Sequence, residues 1–270
     1  MKKKHLFINS LYLILGVFFF IFIWWLVSIS LENNSLHYLP SPFKVFSLFG
    51  IDIFGERAAI IYPAIGYTFL KLLVGFLISL FLAVLLGTFA ALFTPFKMFL
   101  KSHILLFKSV PTAGIALMLG TIFWLEIPSL QPFTPSILVF LIAFPILYES
   151  ILEGISSISV DQMDAIRMEG AERKFETVKE IYWPESKPYL DLGITNAFGL
   201  SLKVAVMSEI VTNSGTSYGK GLGTLIGNAI QDEANLEEAL ALSLIAVFLL
   251  AIVDIVRFIV KKVVVIEKQN

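Results

Sequence analysis

The chain has 270 residues, of which 57% are hydrophobic and 15% charged, and its mean hydropathy is +0.84. Soluble domains usually carry about a quarter charged residues, so this composition indicates a protein that lies in lipid. The net charge of -1 gives no support for nucleic-acid binding, which requires a basic patch. Because the chain contains no cysteine, disulfides, thiolate metal sites and cysteine nucleophiles are excluded.

Six segments are predicted to cross the membrane, because a crossing helix needs roughly 20 mostly apolar residues. They are Leu6 to Leu31, Gly66 to Phe93, His103 to Leu125, Thr134 to Gly154, Tyr189 to Val211 and Leu236 to Val260. The first is longer than the apolar region of about 7 to 15 residues in a cleaved signal, so we expect a retained span. The fourth is the shortest, which leaves five spans and a re-entrant segment as the alternative.

Basic residues are concentrated in alternate connections, and cytoplasmic connections carry an excess of lysine and arginine. With the N-terminus inside, the cytoplasmic side holds Lys2, Lys3, Lys4, Lys97, Lys101, Arg167, Arg173, Lys174, Lys179, Lys187, Arg257, Lys261, Lys262 and Lys268. The opposite side holds Lys44, Arg57 and Lys220. Both termini are therefore predicted to be cytoplasmic, which requires an even number of crossings and favours six.

The longest cytoplasmic connection, residues 155–187, is predicted to fold as two short amphipathic helices. Ser159 and Gln162 have the spacing of a capping box at the start of the first helix. Gly170 is expected to break the helix, and Pro184 to close the second one. An apolar ridge follows the helical spacing along Met163, Ile166, Ala171, Phe175, Val178 and Tyr182.

Three interpretations of this ridge are open. It suits a groove on a soluble partner, it could pack onto the protein's own helix ends, or it could lie in the lipid interface. The periodicity does not choose between them.

A glycine-rich connection, residues 212–223, lies between the fifth and sixth spans. It differs from a phosphate-binding loop, which requires four residues between its glycines and a Ser or Thr after the lysine. Here Gly215 and Gly219 enclose three residues, and Gly221 follows Lys220. Nucleotide binding is therefore not expected there.

The 155–187 segment resembles the cytoplasmic loop signature of binding-protein-dependent ABC importer permeases, in which Glu-Ala-Ala is followed by Gly and later by Ile-x-Leu-Pro. The matching residues are Asp164, Ala165, Ile166, Gly170, Ile181, Trp183 and Pro184. Asp replaces Glu, Ile replaces the second Ala and Trp replaces Leu. The stretch from Gly170 to Pro184 is one residue longer than the usual pattern, and a longer helix or a looser turn would absorb that residue.

Four further segments resemble the branch of this family that imports nitrate, sulfonates, taurine and thiamine precursors. They are Leu39-Pro40-Ser41-Pro42 with Val45, Ser109-Val110-Pro111, the run from Leu202 to Glu209, and Gly221-Leu222-Gly223.

The resemblance implies an all-α, type I importer-like permease in the inner membrane, with a coupling helix between spans four and five. Residues 1–60 would form the first span and a connector, 61–262 the permease core, and 263–270 a cytoplasmic tail. The chain would dimerise, bind a separate ATPase and receive solute from an extracytoplasmic binding protein, without a cofactor or catalytic residues of its own. The coupling residues would be Asp164, Ala165, Ile166, Gly170, Ala171, Phe175, Val178, Ile181 and Pro184.

Lys203 and Glu209 are charged residues within the fifth span, where a charge costs about 2.5 to 3.5 kcal/mol on insertion scales. At 100° per residue they lie about 240° apart, so they do not pair along one helix face. Both are candidates for the translocation path. Glu209 could instead reach the interface, and Lys203 could pair structurally or snorkel; Lys71 and Lys108 are expected to be interfacial.

The sequence is less typical of two other classes of function. An ion-coupled secondary transporter or channel would carry acidic or histidine residues in mid-span and often inverted repeats, and no clear repeat is visible. A membrane-embedded enzyme would need a catalytic or metal-ligand constellation, whereas His5, His37 and His103 are scattered without such spacing.

Overall fold

The computed structural model describes residues 2–33, 39–109, 111–171, 175–212, 219–231 and 235–267. Several residues used above lie outside this part of the chain, namely His37, Val110, Arg173, Lys174, Gly215 and Lys268. The helices are α1 Lys2–Asn33, α2 Pro42–Phe54, α3 Ala58–Leu92, α4 Thr94–Ser109, α5 Thr112–Glu126, α6 Thr134–Ser156, α7 Val160–Met168, α8 Phe175–Thr177, α9 Trp183–Thr212, α10 Leu222–Gln231 and α11 Leu236–Glu267. A 3₁₀ turn, Pro128–Phe133, precedes α6, and a π turn, Val178–Tyr182, joins α8 to α9.

The prediction of an all-α polytopic bundle is confirmed. Among the described residues, five helices are long and apolar enough to cross a membrane, or six if one bent pair counts as a single span. That pair is α4 and α5, whose axes differ by 90°. The interrupted span is therefore the third and not the fourth. The reason is local, because Pro111 lies between the two helices in an extended conformation and has no N–H for an α-helical bond.

The core of the bundle is formed by α3, α6 and α9, which pack closely through small residues. A Cβ atom placed on Gly75 of α3 would lie 2.2 Å from the carbonyl oxygen of Ser136 in α6. A Cβ atom on Gly154 of α6 would lie 2.4 Å from the Cα of Ser186 in α9. Because lipid is as apolar as the helices, close packing of this kind is what holds membrane helices together.

The first span, α1, lies at the edge of the bundle with most of its apolar side chains exposed. It is attached through the segment that precedes α2. Trp24 donates a hydrogen bond from Nε1 to the carbonyl of Pro40 at 3.1 Å, and Ser28 donates one to the carbonyl of Leu39 at 3.0 Å. Pro42 then begins α2, where its missing N–H costs no helical bond.

A cluster of charges connects α2 with the start of α11. Asp52 is fully buried with its Oδ1 3.3 Å from Nε of Arg57, and the same guanidinium donates to Glu238. Burial raises the pKa of Asp52; Arg57 acts against this rise and Glu238 adds to it. Lys44 pairs with Glu237 at 3.1 Å. The connector between α1 and α3 is therefore fixed to α11 by charge as well as by apolar packing.

Candidate functional site

The first helix of the 155–187 segment begins and ends as predicted. The Ser159 side chain accepts a hydrogen bond from the N–H of Gln162 at 3.4 Å, which caps α7. At the other end Gly170 has a φ of 60°, and its N–H donates to the carbonyl of Arg167 at 2.9 Å. The N–H of Ala171 donates to the carbonyl of Ile166 at 3.0 Å. These two bonds form a Schellman motif, which stops the helix at a left-handed residue.

Replacing Gly170 by Val is expected to loosen the end of α7, since a left-handed backbone costs a non-glycine residue about 1 to 2 kcal/mol and is least accessible to β-branched residues. A Cβ atom there would meet nothing within 4 Å, so the effect would come from the backbone alone. Gly170→Asn should be milder, because asparagine tolerates this conformation. Amide hydrogen exchange over residues 160–171 measures the difference, and equal exchange in the two variants would contradict this account.

The apolar ridge packs back onto the protein's own helix ends, one of the three interpretations left open above. Ile166, Ala171 and Tyr182 are buried in one cluster with Ile158, and Leu92 at the end of α3 packs against them. Four other residues are partly buried in the same cluster, namely Ile155, Met163, Val178 and Ile181. Five of the six predicted ridge residues therefore fix the segment to the bundle, and Phe175 is the exception because its side chain is exposed.

Three large apolar side chains of the segment are exposed among charged residues. Met168 is 86% exposed, Phe175 79% and Val160 73%. Of the predicted coupling residues, Ala165, Gly170, Phe175 and Pro184 are exposed, and Asp164 is partly exposed and paired with Arg167 at 3.2 Å. Sequence reasoning overlooked Val160 and Met168. Met168 lies two residues, or about 200° of helical rotation, from Ile166, and an apolar residue so far from the ridge was a usable signal.

A groove of about 360 Å³ separates α7 from the start of α9. It is lined by Gln162, Ala165, Ile166, Glu169, Glu180, Ile181 and Glu185. The glutamates make its surface electronegative, so the groove favours basic side chains.

The second helix of the segment does not end at Pro184, contrary to the prediction. It passes through the π turn directly into α9, and the N–H of Trp183 donates to the carbonyl of Val178, five residues earlier. A π turn holds one more residue than an α turn. This turn has room for the residue by which the 170–184 segment exceeds the signature that it resembles, and Pro184 lies in the first turn of a continuing helix.

The charged residues of the spans are placed differently from the prediction. Glu209 is fully buried and does not reach the interface, and Lys71 is buried beside it with Nζ 2.7 Å from Oε1 of Glu209. Lys71 is therefore enclosed by the bundle and is not exposed at its surface. As predicted, Lys203 and Glu209 do not pair with each other. The partner of Glu209 is Lys71, which lies in α3. Lys108 pairs with Glu149 of α6 at 2.6 Å.

Lys203 is exposed beside a groove of about 240 Å³ between α9 and α11. The groove is otherwise almost entirely apolar, lined by Leu202, Val206, Met207, Ile210, Ala246, Val247 and Leu250. The ammonium group of a lysine in such apolar surroundings is stabilised when water or a polar partner contacts it.

A comparison with curated proteins finds no match. A family model described as binding-protein-dependent transport system inner membrane component matches residues 80–265, from the middle of α3 almost to the end of α11. The matched region contains the capped helix α7, the Gly170 turn and Glu209, whereas Lys71 lies before it. The chain thus belongs to the family of inner-membrane components of binding-protein-dependent transport systems, and is the multi-pass permease subunit of an ABC importer.

Proposed function

We propose that this permease is driven by a separate ATPase, which binds the exposed side of α7 and the residues that follow it. The observation that supports this most strongly is the two-sided apolar character of the segment. One side is buried on the bundle, and the other presents Val160, Met168 and Phe175 to solvent. Large apolar side chains exposed in a charged frame are typical of a protein interaction site.

The contacts beneath the segment would allow it to transmit motion. Ile166 of α7 shares one apolar cluster with Leu92 at the end of α3, Ile155 near the end of α6 and Tyr182 immediately before α9. A displacement of α7 would therefore act on three spans at once, as rigid-body transitions require. The acidic groove beside α7 adds a preference for basic residues on the partner.

The remaining features of the assembly follow from the family and the pattern of charge. ATP hydrolysis would take place on the partner, and two copies of the permease would enclose the path. The concentration of basic residues around α7 supports a cytoplasmic position for this segment and for both termini. The core would comprise residues 61–262, after a first span and connector at 1–60 and before a tail at 263–270.

The solute is proposed to be a small anion or organic compound, as in the branch that imports nitrate, sulfonates, taurine or thiamine precursors. This rests on the resemblance of the Leu39-Pro40-Ser41-Pro42 and Gly221-Leu222-Gly223 segments. Lys203, an exposed lysine of α9, is the proposed residue of the path. Glu209 is buried in the single chain, so its contribution to the path would be indirect.

Cross-linking tests the position of the ATPase. Because the chain has no native cysteine, Met168→Cys introduces a single thiol on the exposed side. We expect a bifunctional maleimide to join it to a cysteine on the coexpressed ATPase. Ala171→Cys is the matched control, since Ala171 is buried only three residues away and should give little product.

Reconstituted vesicles test the source of energy. Uptake should require the ATPase, the binding protein and ATP on the side of α7. Uptake by the isolated chain in an ion gradient without ATP would instead favour a secondary transporter or channel.

A further inference from the structure

A buried polar cluster joins α3, α9 and α10 far from α7. Glu209 of α9 accepts hydrogen bonds from Nζ of Lys71 at 2.7 Å, from the hydroxyl of Thr68 at 2.6 Å and from the N–H of Gly223 at 3.1 Å. The N–H of Leu222 donates to Thr68 Oγ1 at 2.8 Å. Both oxygens of the carboxylate are thus occupied, and a hydroxyl connects it to a second amide of α10.

The two glycines at the start of α10 make this approach possible. A Cβ atom on Gly221 would lie 2.1 Å from Oε1 of Glu209, and one on Gly223 would lie 2.2 Å from the carbonyl oxygen of Val206. A side chain at position 223 would displace α10 from α9, because the obstructing atom is backbone, whereas one at position 221 would displace the Glu209 carboxylate. The two glycines therefore leave space for the backbone of α9 and for the Glu209 carboxylate.

The electrostatics of the cluster favour the same arrangement. The first N–H groups of a helix have no partner within the helix, and they carry a partial positive charge. Glu209 supplies the negative charge there, and Lys71 balances it. Since a buried charge without a partner is strongly unfavourable, each of these groups depends on the others.

The helix that this cluster holds in place, α10, is largely buried in the bundle. Six of its residues are buried, namely Leu222, Gly223, Thr224, Ile226, Gly227 and Ala229. Thr68 and Leu92 are separated by about 36 Å along α3 at 1.5 Å per residue, so α10 lies at the end of the bundle away from α7.

We propose that Thr68, Lys71 and Glu209 form a latch that fastens α10 to α3 and α9, so that this end of the bundle moves as one body. Glu209 and Lys71 act as positioning residues for α10. The docking of α10 stands on the contacts alone, while its movement during transport rests on the proposed function.

Thiol labelling tests the latch in the full-length protein. Ala229→Cys places a single thiol on the buried side of α10, and Ala116→Cys places one in a separate apolar cluster with Leu138 and Val204. We expect Lys71→Met or Glu209→Gln to raise the labelling rate at position 229 about tenfold, as a loss of 1.4 kcal/mol in docking free energy would. Position 116 should remain unreactive.

The double variant shows whether Lys71 and Glu209 act as one ion pair or contribute separately to the docking of α10. Lys71→Met with Glu209→Gln removes both charges, and neutral replacements of buried pairs are often tolerated. Labelling at position 229 should therefore be slower in the double variant than in Lys71→Met alone. Effects that multiply, or single variants that label as slowly as the starting protein, would overturn the proposal.

If the charge variants unfold, the thiols at positions 229 and 116 will both react, and a milder variant is then needed. Thr68→Val removes the bridging hydroxyl and keeps the ion pair, so it should raise labelling at position 229 only; no increase would overturn the latch. Absence of ATP-driven uptake in the starting protein would refute the proposed function and leave the labelling result unaffected.

Discussion

Replacing Met168 and Phe175 together by Asp is expected to abolish ATP-driven transport and leave the permease folded. Both side chains are more than three-quarters exposed, at 86% and 79%, so the substitutions remove no internal packing. On a partner they would act as apolar anchors, and loss of a central anchor typically costs about 2 kcal/mol or more. Two such losses, about 4 kcal/mol together, would weaken ATPase binding by about a thousandfold. Binding of the purified ATPase to the permease in detergent measures this directly.

The matched control is Phe54→Asp. Phe54 is 85% exposed but lies at the end of α2, at the opposite end of the bundle from α7. It should leave ATPase affinity unchanged. Full ATPase affinity and transport in the Met168 and Phe175 double variant would contradict the assignment of the docking surface.

Replacing Gly75 by Val is expected to prevent stable folding of the core. A Cβ atom at this position would lie 2.2 Å from the carbonyl oxygen of Ser136 and 2.9 Å from Cβ of Val139, both in α6. Because the first of these atoms is backbone, α3 and α6 would have to separate. Overpacking costs typically about 1 to 3 kcal/mol, and a backbone collision should lie at or above the top of that range. Thermal unfolding in detergent, followed by size-exclusion chromatography, measures the loss.

Gly66→Val provides the comparison within the same helix. A Cβ atom on Gly66 would have nothing within 4 Å, so the two variants share the change in helix propensity and differ in packing. The Gly66→Val variant should unfold at a temperature close to that of the starting protein. Similar losses in both variants would show that helix propensity, and not the contact between α3 and α6, determines the effect.

Local features of this fold could be predicted because local chemistry determines them. Ser159 begins α7 and Gly170 ends it, and both follow from the hydrogen bonds that free helix ends require. The spans follow from hydropathy over about 20 residues.

Features that depend on distant contacts could not be predicted in this way. Lys71 and Glu209 are separated by 138 positions, and no periodicity within one helix reports such a pair. The burial of the apolar ridge could not be predicted either, because it depends on the positions of Leu92 and Ile155 at the ends of α3 and α6. The continuation of the helix through Pro184 depends on the π turn, which a pattern of apolar residues does not reveal.

The π turn before α9 has a consequence for the choice of partner. One additional residue in a helix rotates everything on its N-terminal side by about 100° relative to a regular helix. The direction in which Phe175 projects therefore depends on the π turn. If the proposed docking surface is correct, an ATPase adapted to a permease without this π turn would meet Phe175 in a different orientation, and we expect ATPases from such systems to replace the native one poorly.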